Sequence, residues 1–353
     1  MTRRSWALFA AMCVIWGVPY LLIRVAVRDF SPGTLVFLRT AIGGVVLLPF
    51  ALARGGFGPV LRRWRPLLAF TLIELAVPWL LLSDAEQVLS SSLSGLLVAG
   101  VPLVGVVVAR VSGADERGGG RLRYVGLLLG LAGVALLLGL DVGHVRLGAL
   151  LEMAVVAIGY AVAPVILSRR LSDLPSIPVI TASLLVTALG YLPYALVSWP
   201  DSVDAKPAWS VVALGVLCTA IAFVVFFALI AAIGPARATV ITYVNPAVAV
   251  LLGVLLLDER FTLGIAIGFP LILVGSVLAA RRPTAVADTT PCDAGVPEGV
   301  LADTVVGRAD GTAQSIRTSP DGVANTAATR PVPSPPLSGS NGETHSTSTR
   351  SSG

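Results

Sequence analysis

Ten long apolar segments constrain the fold of this chain more than any other feature of its sequence. Each is 16 to 23 residues long, about the length that a helix rising about 1.5 Å per residue needs to cross a hydrocarbon core of about 30 Å. The segments cover approximately residues 6–23, 34–53, 67–82, 88–109, 124–140, 147–167, 177–197, 209–231, 238–257 and 261–280. Only 13% of the residues are charged and the mean hydropathy is +0.86, so a lipid environment is expected. The sequence therefore predicts an all-α polytopic membrane protein with ten transmembrane helices.

Basic residues near the segment ends predict the orientation of the chain. Fifteen of them fall in one set of alternating connectors and flanks, and five fall in the other set. The larger set comprises Arg3, Arg4, Arg54, Arg62, Arg63, Arg65, Arg110, Arg117, Arg121, Arg123, Arg169, Arg170, Arg237, Arg281 and Arg282. The smaller set comprises Arg24, Arg28, Arg146, Lys206 and Arg260, and its connectors also carry the acids Asp84, Glu86, Asp201 and Asp204. Because basic residues close to span ends stay on the cytoplasmic side, we predict that both termini lie in the cytoplasm.

The residues that carry chemistry exclude several functional classes. The arginines are scattered without a basic face, which argues against nucleic-acid binding. Cys13, Cys218 and Cys292 lie far apart, and His144 and His345 fall in a connector and near the C-terminus, so neither a disulfide framework nor a metal site is predicted. The apolar segments contain no histidine or aspartate, and no nucleotide-binding GxxxxGK[ST] pattern occurs. We therefore expect no enzyme activity, no cofactor and no ATP hydrolysis by this chain.

Residues 283–353 differ in composition from the rest of the chain. They are rich in Pro, Thr, Ser, Gly, Asp and Ala, as in the run RPVPSPPLSGSNGETHSTSTRSSG. Such a composition cannot bury enough apolar surface to offset the entropy lost on ordering, so we expect a disordered cytoplasmic tail. This tail is either a plain extension or a docking segment for a regulatory partner.

Proline and glycine recur with similar spacing in the two halves of the apolar region. Pro102 is followed by Gly126 and Gly133, and Pro246 is followed by Gly268 and Gly275. The proline precedes the first glycine by 24 residues in the first half and by 22 residues in the second half. Since two halves of five spans each enter the membrane from opposite faces, we predict two inverted repeats, residues 1–140 and 141–282. The two prolines either break their helices beside a central site or bend them for packing.

Five stretches of the sequence resemble a known family. They are WGVPYLLIRVAV, FLRT, SSSLSGLLVAGVPL, GPARATVITYVNPAVAVLLGVLLLDE and GIAIGFPLILVGSVLAA, and together they resemble the EamA-type branch of the drug/metabolite transporter superfamily over residues 5–280. The resemblance implies a ten-helix inner-membrane carrier with cytoplasmic ends that moves small metabolites such as amino acids, often outward. It also implies that Arg39 and Glu259 match the family pattern, whereas Tyr160 stands where family members often have tryptophan.

Four charged side chains within or beside the apolar segments are candidates for special roles. Glu74 lies inside the third segment, where a carboxyl group is costly and faces either a cavity or a hydrogen-bond partner on another helix. Arg39, about two turns inside the second segment, is expected to pair with an acid or to cap carbonyl groups. Glu152 is expected at the membrane interface, and Glu259 in an ion pair with Arg260 or in a helix cap.

Polar, aromatic and proline residues complete the predicted transport pathway. The candidates are Trp16, Tyr20, Glu74, Trp79, Ser91, Ser94, Pro102, Tyr160, Thr219, Tyr243, Asn245 and Pro246, with Ser92 as a further polar neighbour. About a third of the polar and aromatic members are expected to line a cavity, because small residues also allow close helix packing and aromatic residues also anchor span ends. The family resemblance implies that the chain is a secondary transporter that exports small metabolites such as amino acids, with small-molecule substrate and membrane lipid as partners. A membrane sensor or scaffold is the alternative.

Overall fold

The computed structural model of the protein describes residues 2–111, 121–141, 146–234, 238 and 240–280. Within these ranges every regular element is a helix. The predicted tail, residues 283–353, lies outside the described residues, and so do His144, Cys292 and residues 112–120.

The described fold is built from α-helices and, within the same ranges, two π-helices. Their order is α1 Arg3–Ile15, α2 Pro19–Ala26, α3 Pro32–Ala53, α4 Gly58–Arg62, α5 Trp64–Phe70, π1 Thr71–Ala76, α6 Val77–Ala85, α7 Ser91–Val98, α8 Val101–Val111, α9 Arg121–Asp141, α10 Leu147–Arg170, α11 Ser176–Val197, α12 Ala205–Gly215, π2 Val216–Ile221, α13 Ala222–Ile233, α14 Ile241–Leu256 and α15 Leu263–Ala280. A π-helix carries hydrogen bonds between residues five apart, so it inserts an extra residue into an otherwise α-helical stretch. Each π-helix here joins its two flanking α-helices without interruption.

The ten predicted apolar segments all lie on helices, but these helices differ in length. Seven helical stretches are long and apolar enough to cross a membrane: Arg3–Ala26, Pro32–Ala53, Trp64–Ala85, Ser91–Val108, Leu147–Arg170, Ser176–Val197 and Ala205–Ile233. Three shorter apolar helices cover Leu122–Leu137, Ile241–Leu256 and Leu263–Ala279. The all-helical membrane protein is therefore as predicted, and the full set of ten crossings stays a prediction.

Contacts between connectors group them at two ends of the helix bundle. Three residue pairs join connectors or the helix ends beside them at one end: Arg24 with Glu86, Asp29 with Asp204, and Ser91 with Glu259. At the other end, Arg63 forms an ion pair with Asp173 at 2.7 Å. We call these the Glu86 end and the Arg63 end. The connectors grouped in this way alternate between the two ends, as expected if each helical stretch runs once along the bundle.

Helices at corresponding positions of the two halves pack against each other. The most extensive contacts join α9 to α15 and α3 to α11. In the first pair the repeated glycines face each other: a Cβ atom on Gly126 would lie 2.7 Å from the Gly275 carbonyl oxygen, and one on Gly133 would lie 2.8 Å from that of Gly268. Small residues allow helix backbones to approach this closely. These four glycines form the interface that we call the glycine contact.

The first apolar segment is not the single helix that its length predicts. α1 ends at Ile15 and α2 begins at Pro19, whose missing N–H suits the first position of a helix. Between them, a Cβ atom on Gly17 would lie 3.0 Å from the Asn245 carbonyl oxygen and even closer to Val248. The interruption therefore lies directly against α14, where only glycine fits.

The two repeated prolines occupy different local structures, and only the first adjoins an interruption of its helix. Pro102 is the second residue of α8, just after the interruption that separates Val98 from Val101. Pro246, in contrast, lies inside α14, which continues through it from Ile241 to Leu256. A proline in a helix removes one hydrogen bond but does not always end the helix.

Candidate functional site

The two π-helices lie at corresponding positions of the two halves. π1 belongs to the third apolar segment and π2 to the eighth, which is the third segment of the second half. Glu74 is the fourth residue of π1, and Thr219 is the fourth residue of π2. π-Helical turns are rare and frequently occur at functional sites, so this register singles out both residues. Sequence reasoning selected Glu74 and Thr219 as candidates but did not relate them to each other.

A buried arginine joins three helical elements at π2. The Arg39 side chain comes from α3, and its Nε donates a hydrogen bond of 3.0 Å to the Thr219 hydroxyl. Its guanidinium carbon lies 3.6 Å from the ring centroid of Trp79 on α6, a cation–π contact. Arg39 and Trp79 are only 6% exposed. The partners predicted for Arg39 were an acid or backbone carbonyls, and the structure instead supplies a hydroxyl group and an aromatic face.

Two tyrosines extend this polar group. Tyr20 and Tyr160 lie close enough to Arg39 to interact with it electrostatically. Tyr20 is buried and packs beside Gly95 of α7. We call the five residues Tyr20, Arg39, Trp79, Tyr160 and Thr219 the Arg39 cluster. Its members come from five helical elements of both halves, and four of them were candidates from the sequence.

Glycines set the distance between the helices that carry the cluster. A Cβ atom on Gly43 of α3 would lie 2.6 Å from the Thr219 methyl group. One on Gly215, the last residue of α12, would lie 3.3 Å from the Arg39 carbonyl oxygen. Since no side chain fits at either position, α3 approaches the start of π2 closely enough for Arg39 to reach Thr219.

Glu74 lies near the Arg39 cluster but outside its hydrogen bonds. The Glu74 side chain is half-buried and interacts electrostatically with Tyr160. Its Oε2 atom is buried and has no hydrogen-bond partner among the described residues. A carboxyl oxygen without a partner inside membrane-length helices is costly, which keeps Glu74 a candidate for substrate or proton binding.

The serine-rich start of α7 is capped from the other half of the chain. Glu259 Oε1 accepts a 2.7 Å hydrogen bond from the Ser91 N–H, and Oε2 accepts hydrogen bonds from the N–H and hydroxyl of Ser92. Asp258 has a positive φ of 53°, which turns the chain after α14 and directs Glu259 toward α7. A Cβ atom on Gly253 would collide with this carboxylate. Of the two roles expected for Glu259, the structure shows the helix cap.

Ser91 and Ser94 have buried hydroxyl groups for which the described part of the chain offers no hydrogen-bond partner. Both side chains are fully covered by protein. The hydroxyl of Ser91 lies near Gly253, and Gly95, next to Ser94, packs against Ala249 and Tyr20. The two serines thus lie between α14 and the Arg39 cluster.

Three other candidates form a separate group at α1, α13 and α14. The ring centroid of Trp16 lies 4.6 Å from that of Phe226 and 6.1 Å from that of Phe223. The Asn245 amide nitrogen, in the orientation that satisfies both ends of the amide, donates to the carbonyls of Cys13 at 3.2 Å and Ile241 at 2.9 Å. Tyr243 is half-buried on the same helix. Asn245 therefore holds α1 against α14.

The interruption before Pro102 has its own partner. Ala99 lies in this interruption, and its carbonyl oxygen accepts a 3.2 Å hydrogen bond from the Ser276 hydroxyl of α15. The proline there was expected either to break its helix beside a central site or to bend it for packing. In the structure, the Ala99 carbonyl and the Ile241 carbonyl are each bonded by a side chain of another residue.

One functional candidate was missed because its sequence position predicts exposure. Glu86 follows the last residue of α6, yet it is 0% exposed, and neither carboxyl oxygen has a hydrogen-bond partner within the described ranges. The Arg24 guanidinium donates to its backbone carbonyl oxygen. Burial raises the pKa of Glu86 well above its ordinary value, Arg24 opposes this shift, and Glu259 adds to it. No local sequence signal marks this residue, because each neighbour that covers it comes from elsewhere in the chain.

Glu152, which was expected at the interface, is half-buried near the start of α10 and lies beside Asp84. Asp84 is exposed at the Glu86 end, and the interfacial location of Glu152 stays a prediction. At the same end, a cleft of about 280 Å³ opens to the surface. Its lining residues are Arg24, Arg28, Val88, Ser90, Leu257 and Glu259.

Comparison with known proteins identifies the family. The EamA-like transporter family matches residues 4–139 and 147–281. The chain is 34% identical over 253 residues to the uncharacterized inner membrane transporter YedA of Escherichia coli K12, covering 70% of this chain and 80% of that protein. It is 25% identical over 293 residues to the uncharacterized transporter YvbV of Bacillus subtilis, covering 80% and 93%. A solved structure described as "Crystal structure of protein" has the same fold, with a TM-score of 0.56, 24% identity, and coverage of 78% of this chain and 96% of that one. With these matches across both halves, the chain belongs to the EamA-like transporter family.

Proposed function

We propose that this protein is a secondary transporter that exports small organic metabolites, such as amino acids or related compounds, across the plasma membrane. The observation that carries the proposal is the Arg39 cluster, a buried group of cationic, hydroxyl and aromatic side chains inside membrane-length helices. Burying an arginine there is costly, and such residues usually mark a substrate or ion pathway. The inner-membrane relative at 34% identity supports the same location for this chain.

The proposed architecture has ten transmembrane helices in two inverted repeats, with both termini in the cytoplasm. In this arrangement the Glu86 end faces outward and the Arg63 end faces the cytoplasm, as the fifteen-to-five distribution of basic residues favours. The interruptions of α1–α2 and α7–α8 and the two π-helices provide irregular backbone on the pathway. Such irregularities in membrane helices are tolerated where neighbouring protein or a cavity supplies partners.

The substrate is proposed to bind at the Arg39 cluster, with Glu74, Ser91 and Ser94 beside it. Arg39 supplies a positive charge for an anionic group, and Trp79 and the tyrosines supply apolar faces with polar edges. Glu74 is proposed to bind an amine of the substrate or a proton. The second group, Trp16, Tyr243 and Asn245, then supports the flexing of α1 against α14.

Uptake of labelled metabolites into vesicles containing the purified protein tests this proposal. We expect at least one small organic compound to enter faster than into empty vesicles. Arg39→Gln should reduce that uptake at least tenfold, because it removes the buried charge while leaving a side chain that can donate a hydrogen bond. Arg63→Gln is the matched control, because Arg63 is exposed and pairs with Asp173 at the opposite end from Glu86. Equal uptake by Arg39→Gln and the parent protein would remove the cluster from the pathway, and no uptake of any compound would favour the sensor or scaffold.

A further inference from the structure

Glu86 lies at a point where the structure offers its carboxyl group no partner. The side chain is fully covered, and both carboxyl oxygens lack hydrogen bonds among the described residues. The guanidinium of Arg24 binds the backbone carbonyl of Glu86 rather than its carboxylate. An ionised carboxylate in this position would lose its hydration without gaining a hydrogen bond, so the closed structure favours the neutral form.

The charged and titratable groups that interact electrostatically with Glu86 come from three helices and one connector. They are Arg24 and Tyr20 of α2, Arg39 of α3, Tyr160 of α10, and Glu259 of the connector between α14 and α15. The two arginines favour ionisation of Glu86, whereas the Glu259 carboxylate, held by the start of α7, disfavours it. Burial outweighs the two arginines and holds the pKa of Glu86 well above its ordinary value.

The cleft at the Glu86 end lies beside Glu86, whose covered carboxyl group is not itself part of the cleft lining. Arg24, Glu259 and Ser90 line the cleft, and Arg24 also contacts Glu86 itself. Val88, two residues after Glu86, is another lining residue. A small displacement of this connector would admit water to the Glu86 carboxyl group, and the nearby guanidinium of Arg24 could then pair with its ionised form.

We propose that Glu86 is a proton-binding site that holds the Glu86 end closed when it is protonated and opens it when the proton leaves to water in the cleft. Because the closed state binds this proton more tightly than the open state, acid favours closure and rising pH favours opening. For one such proton, the ratio of open to closed protein rises by up to about tenfold per pH unit. The change occurs between the ordinary glutamate value of about 4.3 and the raised pKa of the closed state. This site rests on the proposed alternating access, but not on any particular substrate.

A cysteine at Ser94 reports opening without requiring transport. Ser94 is 0% exposed, lies on α7 about one turn beyond Ser90, which lines the cleft, and differs from cysteine by one atom. Ser94→Cys is introduced into the full-length protein, in which Cys13, Cys218 and Cys292 are replaced by alanine. The purified variant in detergent then reacts with a small water-soluble thiol reagent at pH values from 5 to 9, and the reaction rate is measured. Each rate is divided by that of the unfolded chain at the same pH, which removes the titration of the thiol itself.

We expect the corrected rate at Ser94→Cys to rise by up to about tenfold per pH unit in the parent and to become independent of pH in Glu86→Gln. Asp84→Asn, which removes an exposed carboxyl group at the same end, should keep the rise. Ala163→Cys, a buried reporter in the half of α10 nearer the Arg63 end, should not show it.

The proposal is overturned by a flat profile in the parent protein, by an unchanged rise in Glu86→Gln, or by loss of the rise in Asp84→Asn alone. If Glu86→Gln does not fold, Glu86→Asp replaces it, and the midpoint of the rise should shift. An unchanged midpoint also overturns the proposal. Since the measurement needs no substrate, failure to find a transported compound leaves its outcome interpretable.

Discussion

The two halves of the protein meet in two contrasting ways. At the glycine contact, α9 and α15 approach until a side chain on Gly133 would lie 2.8 Å from the Gly268 carbonyl oxygen. At the Arg39 cluster, α3 and π2 enclose a buried guanidinium that bonds the Thr219 hydroxyl. One interface is made of backbone and apolar atoms in regular helices, whereas the other contains charge and a π-helix.

The difference indicates which interface stays fixed during transport and which one rearranges. Close-packed backbones resist sliding, because any displacement opens voids or creates clashes. Polar groups can exchange one partner for another, such as a substrate or water, at a lower cost. We therefore expect the glycine contact to govern stability and the Arg39 cluster to govern transport.

The largest expected effect is on stability at the glycine contact. Gly133→Val places a branched side chain against the backbone of Gly268 and Ile272, which cannot move aside independently. The free energy of unfolding should fall by at least about 3 kcal/mol, measured by denaturation in detergent. Gly190→Val is the matched control, because Gly190 lies in α11, where a Cβ atom would meet nothing within 4 Å. Equal losses in the two variants would contradict the assignment of a structural role to the glycine contact.

The next largest effect is expected at the Thr219 hydroxyl group, which belongs to the Arg39 cluster and not to the glycine contact. Thr219→Val keeps the shape of the side chain but removes the acceptor for Arg39 Nε, leaving a buried charge short of one hydrogen bond. We expect a loss of about 1.5 to 3 kcal/mol of stability, together with slower transport by the folded protein. Thr219→Ser, which retains the hydroxyl, should recover most of the transport rate. Normal transport in Thr219→Val would indicate that the Arg39 cluster, like the glycine contact, contributes to stability and not to transport.

A smaller effect on stability, but a specific one on transport, is expected at Glu74. Glu74→Gln retains the size of the side chain and removes its ability to titrate. If Glu74 carries the coupled proton, Glu74→Gln in a Glu86→Gln background, which lacks the proposed pH-dependent opening, should abolish the pH dependence of transport while the folded yield stays unchanged. Glu152→Gln is the matched control, because Glu152 also lies on a membrane-length helix but outside the Arg39 cluster. A pH profile left unchanged by Glu74→Gln in that background would restrict Glu74 to a structural role.

The smallest effect is expected at Pro246. α14 already continues through this residue, so Pro246→Ala should change the free energy of unfolding by no more than about 1 kcal/mol. Pro102→Ala should reduce turnover more, because it allows the interrupted stretch between α7 and α8 to become helical and to lose the Ala99–Ser276 hydrogen bond. Turnover assays on the two variants compare the prolines directly. Equal defects would restore the symmetric pair of hinges that the repeated prolines predict.

Local sequence patterns were sufficient for the helices and for part of the site. The apolar segments predicted the positions of the helical stretches, and the buried Arg39, Trp79 and Thr219 stand out as polar or aromatic residues in such segments. The interruption at Gly17 was missed, because the contact with α14 that requires it lies more than 200 residues away in the chain. Pro246 was expected either to break or to bend its helix, and local sequence could not decide between the two; in the structure α14 continues through it.

The sequence by itself determined that this chain forms apolar helices of the EamA-like type, because helix length and hydropathy are properties of contiguous residues. Only the tertiary structure decided which carboxyl groups receive hydrogen bonds. Glu259 and Glu86 both follow an apolar helix at the same end, yet Glu259 finds the N–H of Ser91, 168 residues earlier, and Glu86 finds no such donor among the described residues. The reason is physical: a buried carboxyl group depends on donors that folding brings to it, and those donors are not its neighbours in sequence.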